Sequence, residues 1–299
     1  MMKKSIHYFL YRIASLDDLP ADVATLIHHQ TGDQTIENLI LIPPQDYAVT
    51  PQGWRLSLPF LWRRTPERTV AFTPTRIVVV EAEADRRLTT ITIPLDCLVG
   101  INLTVVLLYA FFELTWLEGQ GAQTLRIEFN AVGEHIVRQA LERVRARTSP
   151  PIADLAPNPD AWAGLAEAPI KFRSYLRYHL APDETVALAV YQPSIKRGEG
   201  WFQPTLGPNR ALALTDRELL LLEDPRDRLT TRYGLAVRFY PLRRLWGMTW
   251  HESPNAIWLH LAFDDHAGVE VRVPLSASLA ARVKPALAAA APSRHGEPG

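Results

Sequence analysis

The chain has 299 residues, 47% of them hydrophobic and 21% charged, an ordinary globular composition with room for about two domains. Its 32 basic and 32 acidic residues cancel, so the chain lacks the overall positive field that draws nucleic acid, and no nucleic-acid partner is expected. A single cysteine, Cys97, excludes an internal disulfide and fits a reducing, cytoplasmic setting.

Taken in order, the first residues outline a signal peptide, but His7 and Arg12 interrupt the apolar run and no small-residue cleavage site follows. Ile6, Leu10 and Ile13 share one face at helical spacing and predict a helix. A second helix is expected from Asp18, with Pro20 in its first turn and Val23, Leu26 and Ile27 facing inward. A strand over Thr35 to Ile42 follows, then a long Pro-rich loop. Arg68 to Phe72 and Arg76 to Glu81 read as a hairpin, since the β-branched run Ile77-Val-Val-Val80 suits a strand. A closing helix begins at Asn130, with Ile136, Ala140 and Val144 on one stripe.

This order is then written again, and a repeat governs every later inference about the fold. Leu26, His29, Asp33, Thr35 and Pro43 return at one constant offset as Leu176, His179, Asp183, Thr185 and Pro193. Thr73-Pro-Thr-Arg-Ile-Val-Val-Val-Glu81 is echoed by Thr215-Asp-Arg-Glu-Leu-Leu-Leu-Leu-Glu223, and Arg87-Leu-Thr-Thr90 by Arg228-Leu-Thr-Thr231. Ile93-Pro-Leu95 becomes Tyr240-Pro-Leu242, with Gly100 and Gly247 at the same distance beyond. In the second repeat, strands are expected at Thr185 to Gln192, Arg210 to Leu214, Glu218 to Glu223, Leu235 to Leu242, Leu245 to His251, Ala256 to Phe263 and Val269 to Val273. A helix capped by Ser276 follows, with Leu279, Val283 and Leu287 inward and a kink expected at Pro285. The expected organisation is a first domain over 1–148, a Pro-rich linker over 149–162, a second domain over 163–291 and a disordered tail over 292–299.

Each repeat thus reads as a helix, about seven antiparallel strands and a closing helix, a mainly β (α+β) fold. In that order, in the strand-turn-strand of Ala211 to Glu223, in Tyr240-Pro-Leu242 and in the terminal amphipathic helix, the chain resembles the pleckstrin-homology-like (PH-like) domains found in bacterial proteins. The resemblance implies tandem barrels of two bent sheets, each plugged by a helix, on a non-catalytic scaffold whose loops bind proteins or lipid headgroups. Lipid-binding members resemble one another in basic residues at the first loop and the next strand. Lys196, Arg197 and Arg210 hold that place in the second repeat, and Arg55, Arg63, Arg64 and Arg68 in the first. The paired basic spacing is absent around Arg210, where Pro208 and Leu212 stand, so this anion site is the lesser reading.

The stronger signal is apolar. Where the second repeat has the turn Ser253-Pro-Asn255, the first has Val105-Val-Leu-Leu-Tyr-Ala-Phe-Phe112, with no turn former. Its first loop, Trp54 to Trp62, is apolar as well. Leu107, Leu108, Phe111, Phe112, Phe60 and Trp62 are therefore the candidate interface, for packing between the two repeats, protein contact or self-association first and a membrane surface second. A transmembrane helix over Leu98 to Leu117 is the third reading, although Asn102 and Glu113 fall inside it. His28 and His29 point about 100° apart on a helix and cannot easily chelate one ion with His179. Asp96-Cys97 reads as a strand segment with an inert thiol. No zinc, phosphate-loop or triad motif occurs, so no cofactor or metal is expected and the chain reads as a non-enzyme. The competing class is an enzyme with its site between the repeats.

Overall fold

The structure is a computed structural model that describes residues 8–48, 62–152, 158–197, 205–225, 234–263 and 270–290. The expectations at Ile6, Trp54, Arg55, Phe60, Arg228 to Thr231 and the tail lie outside these residues.

The protein is mainly β, built from antiparallel sheets. The first repeat contributes β1 (Tyr11–Arg12), α1 (Ala21–Thr31), β2 (Asn38–Ile42), β3 (Asp46–Ala48), β4 (Trp62–Arg64), β5 (Glu67–Phe72), β6 (Arg76–Ala82) and β7 (Leu88–Pro94). It continues through β8 (Leu98–Val106), β9 (Tyr109–Glu118), β10 (Gly121–Asn130) and α2 (Glu134–Thr148). The second repeat contributes α3 (Ile170–His179), β11 (Val186–Gln192), β12 (Ile195–Lys196), β13 (Thr205–Gly207), β14 (Arg210–Thr215), β15 (Glu218–Glu223) and β16 (Gly234–Pro241). It closes with β17 (Gly247–Ser253), β18 (Ala256–Ala262), β19 (Glu270–Leu275) and α4 (Ala277–Ala290). From α1 and α3 onward the two series match element for element. Contacts group the chain into two compact units. One comprises Met1–Cys97, Leu107–Phe112 and Arg126–Arg147; the other comprises Leu98–Val106, Glu113–Leu125 and Thr148–Gly299.

In the first unit the sheet runs β1-β2-β5-β6-β7. Residues expected in an N-terminal helix lie instead in β1, where Tyr11 pairs with Leu41 and Arg12 with Ile40. Three apolar residues at helical spacing are too few to decide between a helix and an edge strand. α1 starts after Pro20 and ends where Gly32 takes φ +57°, the left-handed conformation that suits glycine. It packs Val23 and Ile27 against Leu39, Ala71, Val78 and Val80. On the sheet's other face Ile77 and Val79 are also buried, which is why β6 reads as a continuous apolar run rather than an alternating one. α2 buries Ala140 and Val144 as expected, together with Val137 and Leu141, while Ile136 is half-buried.

Arg147 of α2 forms a two-pronged ion pair with Glu37 just before β2. The hydrogen bond from Arg147 holds the Glu37 carboxyl below the usual carboxylate range, against the opposing pull of burial. A lowered folded-state pKa stabilises above the unfolded value, and that contribution is lost as pH falls through the folded value. The stability difference between the native chain and Glu37→Gln should therefore shrink as pH drops below about 4. Melting temperatures measured across pH 3 to 7 check this; a constant difference would show that the pair contributes nothing.

A seven-stranded sheet runs β10-β9-β8-β16-β15-β14-β11, and a three-stranded sheet runs β17-β18-β19. Leu219 to Leu222 of β15 are all buried, as a central strand covered on both faces requires. Their cluster joins Leu212 and Leu214 to Leu259, Leu261, Val273 and Leu275 and to the α4 stripe Leu279, Val283 and Leu287. Ser276 caps α4 by accepting the Leu279 N–H at 3.3 Å, and the helix continues through Pro285 to Ala290. Among the described residues no sheet closes on itself, so the expected barrels are open sheets. The physical reason is strand choice. β8 pairs not with its own repeat's β7 but with β16 of the second repeat, from Phe239↔Ile101 to Gly234↔Val106. Gly234 is required there: a Cβ would stand 2.6 Å from Val106 Cγ2 and 3.2 Å from the Val105 carbonyl oxygen.

Candidate functional site

The Leu98 to Leu117 stretch is a β-hairpin, with β8 and β9 joined by Leu107 and Leu108. Among the described residues no helix is long and apolar enough to cross a membrane. Leu107 sits at φ +52°, a conformation costing a non-glycine residue roughly 1–2 kcal/mol. Its side chain is 65% exposed and that of Leu108 is 69% exposed. At the matching turn of the second repeat, β17 passes to β18 through Pro254 and Asn255. The fold therefore does not need leucine at this place.

The tip is held in position. The Leu108 carbonyl accepts the Ala131 N–H at 2.9 Å, while the Asn130 side chain accepts the Val132 N–H at 3.0 Å. Val132 is exposed beside this anchor. Gly133 follows, so close to Leu10 that a Cβ would lie 2.1 Å from Leu10 Cδ2. On the chain just before Leu10 stand Tyr8 and Phe9, both exposed. Leu107, Leu108, Val132, Tyr8 and Phe9 are thus exposed on segments of the first unit that the Leu108–Ala131 hydrogen bond and the Gly133–Leu10 approach bring near one another.

Beneath the tip the chain turns inward. Phe112 is 1% exposed and meets the Phe129 ring at 6.2 Å. Phe111 is also buried, with the Arg126 guanidinium 3.6 Å from its ring centre. The reading of Phe111 and Phe112 as surface residues is thereby corrected: as neighbours on β9 they point to opposite faces, and both are covered. Tyr109 donates to the buried Glu128 carboxylate at 2.8 Å, and Arg63 pairs with the same group. Glu128 went unnoticed in the sequence because only the fold brings it to Arg63.

Trp62 lies in β4, paired with Ala48. Lys196 and Arg197 are exposed at β12 and just beyond it. Arg210 is not with them. It is 1% exposed, pairs with Glu223 and donates to the Pro274 carbonyl at 2.8 Å. Arg68 pairs likewise with Glu81. Both pairs are directly opposed across their hairpins. These arginines neutralise interior carboxylates, so they are structural and not anion ligands. Arg64 is exposed.

His28 and His29 are exposed on α1, while His179 is buried with its ring 5.8 Å from Phe239. No group of three potential metal ligands occurs among the described residues. Cys97 is half-buried. A polar concavity of about 400 Å³ in the first unit is lined by Arg12, Ser15, Glu37, Asn38 and Arg143 among others. Glu37 there is already held by Arg147. Compared with known proteins, the chain matches no family model and no curated protein.

Proposed function

We propose that the chain is a non-enzymatic binding protein that docks a protein partner through the apolar end of its first unit. The observation behind this reading is the hairpin tip: Leu107 and Leu108 are exposed and one is strained, where the second repeat has Pro254-Asn255. Strain and exposed leucine both work against the isolated chain, and a contiguous exposed apolar patch usually marks an interaction surface. The twice-written order of helix, strands and helix supports the PH-like reading, in which loops bind while the scaffold stays inert. A lipid surface is the second reading. It is favoured by the exposed tip leucines standing with Tyr8 and Phe9, aromatic residues that suit a bilayer interface.

The test replaces Leu107 with Asn and Leu108 with Ser in the full chain. The variant should keep the native melting temperature and lose a partner that the native chain retains from native lysate. Vesicles of mixed neutral and anionic lipid serve as the second arm. Equal retention of every protein by the two chains would overturn the protein reading, and vesicle binding lost in the variant would replace it with the lipid one.

A further inference from the structure

We infer that the chain assembles head to tail with copies of itself, the β17 edge of one molecule pairing with the β7 edge of the next. The template lies within the chain. β8 is the first repeat's counterpart of β17, and β16 is the second repeat's counterpart of β7, aligned by Ile93-Pro94-Leu95 with Tyr240-Pro241-Leu242 and by Gly100 with Gly247. β8 and β16 are paired in register over Phe239↔Ile101, Arg238↔Asn102, Val237↔Leu103, Ala236↔Thr104 and Leu235↔Val105. Their counterparts each stand at the end of a sheet. β7 ends the order β1-β2-β5-β6-β7, and β17 ends β17-β18-β19. Among the described residues no strand lies beyond either one.

The β7 edge is uncharged and regular, and the β17 edge is regular with one acidic residue, Glu252, near its end. β7 runs in unbroken register with β6 from Arg76↔Pro94 to Ala82↔Leu88. Its residues Leu88-Thr-Thr-Ile-Thr-Ile contain no charge, and its Pro94 stands at the very end. β17 runs unbroken with β18 from Gly247↔Ala262 to Ser253↔Ala256. Edge strands that must stay alone usually carry lysine, an inward charge, a bulge or a mid-strand proline, and β7 has none of these. Its threonines and isoleucines also favour a pleated neighbour. Carrying the internal register across places Thr92 opposite Met248, Ile91 opposite Thr249, Thr90 opposite Trp250 and Thr89 opposite His251.

The two edges differ, so each molecule offers one donor and one acceptor. Such a contact is heterologous, and it generates a ring or an open chain rather than a two-fold dimer. The two edges share no residue with the hairpin tip, so tip variants should leave the assembly unchanged.

The experiment uses the full chain. Light scattering and sedimentation across a concentration series should give masses that are multiples of 33.7 kDa, returning to 33.7 kDa in Thr90→Lys and in Thr249→Lys. In a Cys97→Ser background, Ile91→Cys and Thr249→Cys chains are mixed and oxidised. They should yield a crosslinked pair, while Leu88→Cys with Thr249→Cys, out of register, should yield little. A mass of 33.7 kDa at every concentration would overturn the proposal. So would multimers that survive both lysine variants. Should a lysine variant fail to fold, the crosslink decides: equal yields from the two cysteine combinations count against the register, and selective yield supports it.

Discussion

Glu223→Gln should cost the second unit about 3–5 kcal/mol of stability, the loss expected when one partner of a buried ion pair is removed. The carboxylate faces two cations at once. Arg210 pairs with it from a fully buried position, and Arg238 approaches to 3.1 Å. Removing the negative charge takes the carboxylate from Arg210, which also donates to the Pro274 carbonyl. The double variant Arg210→Met/Glu223→Leu should lose less than the single one, because the buried charge goes with its partner. The first repeat supplies an internal control. Arg68 and Glu81 make the same cross-strand pair, but their side chains are 11% and 18% exposed. Water there softens the loss, so Glu81→Gln should cost about 1–3 kcal/mol. Denaturant unfolding of the three variants checks the order. Equal losses at Glu223 and Glu81 would show that burial does not set the difference.

The second large effect separates the two halves of the apolar stretch that ends β8 and begins β9. Phe112→Ala should cost about 3–5 kcal/mol, through lost transfer energy and the cavity left against Phe129. Leu108→Ala, four residues earlier, should change stability by less than about 0.5 kcal/mol because the side chain is exposed. Phe111→Asp is a poor probe of binding because Phe111 is buried. It would bury a carboxylate in the core and confuse unfolding with loss of contact. If Leu108→Ala proved as damaging as Phe112→Ala, the tip would belong to the core and the docking surface would disappear.

Much of the local structure is legible in the residues. The hairpin Arg68 to Glu81 and its echo Arg210 to Glu223 fall where β-branched and leucine runs flank a short polar turn. The Ser276 cap and the Leu279, Val283, Leu287 stripe are equally direct, since capping and helical periodicity involve neighbours in the chain. The roles of Arg68 and Arg210 were within reach too. In a hairpin with its turn at Pro74-Thr75 or Asp216-Arg217, each arginine stands opposite a glutamate, and opposite charges at opposed positions form a pair. That register leaves neither arginine available to an anion.

What the residue order determined by itself is the repeat, its β-rich periodicity and the anomaly of two leucines where a turn should be polar. Those signals are local, and each side chain carries its own preference for face or turn. Tertiary structure alone decided that β8 joins β16, that Phe111 and Phe112 turn inward while Leu107 and Leu108 stay out, and that Glu128 receives Arg63 and Tyr109. The backbone N–H and C=O groups along one strand edge are chemically the same as those along any other. Which edges meet is therefore settled by the packing of the whole sheet, where no single residue names its partner.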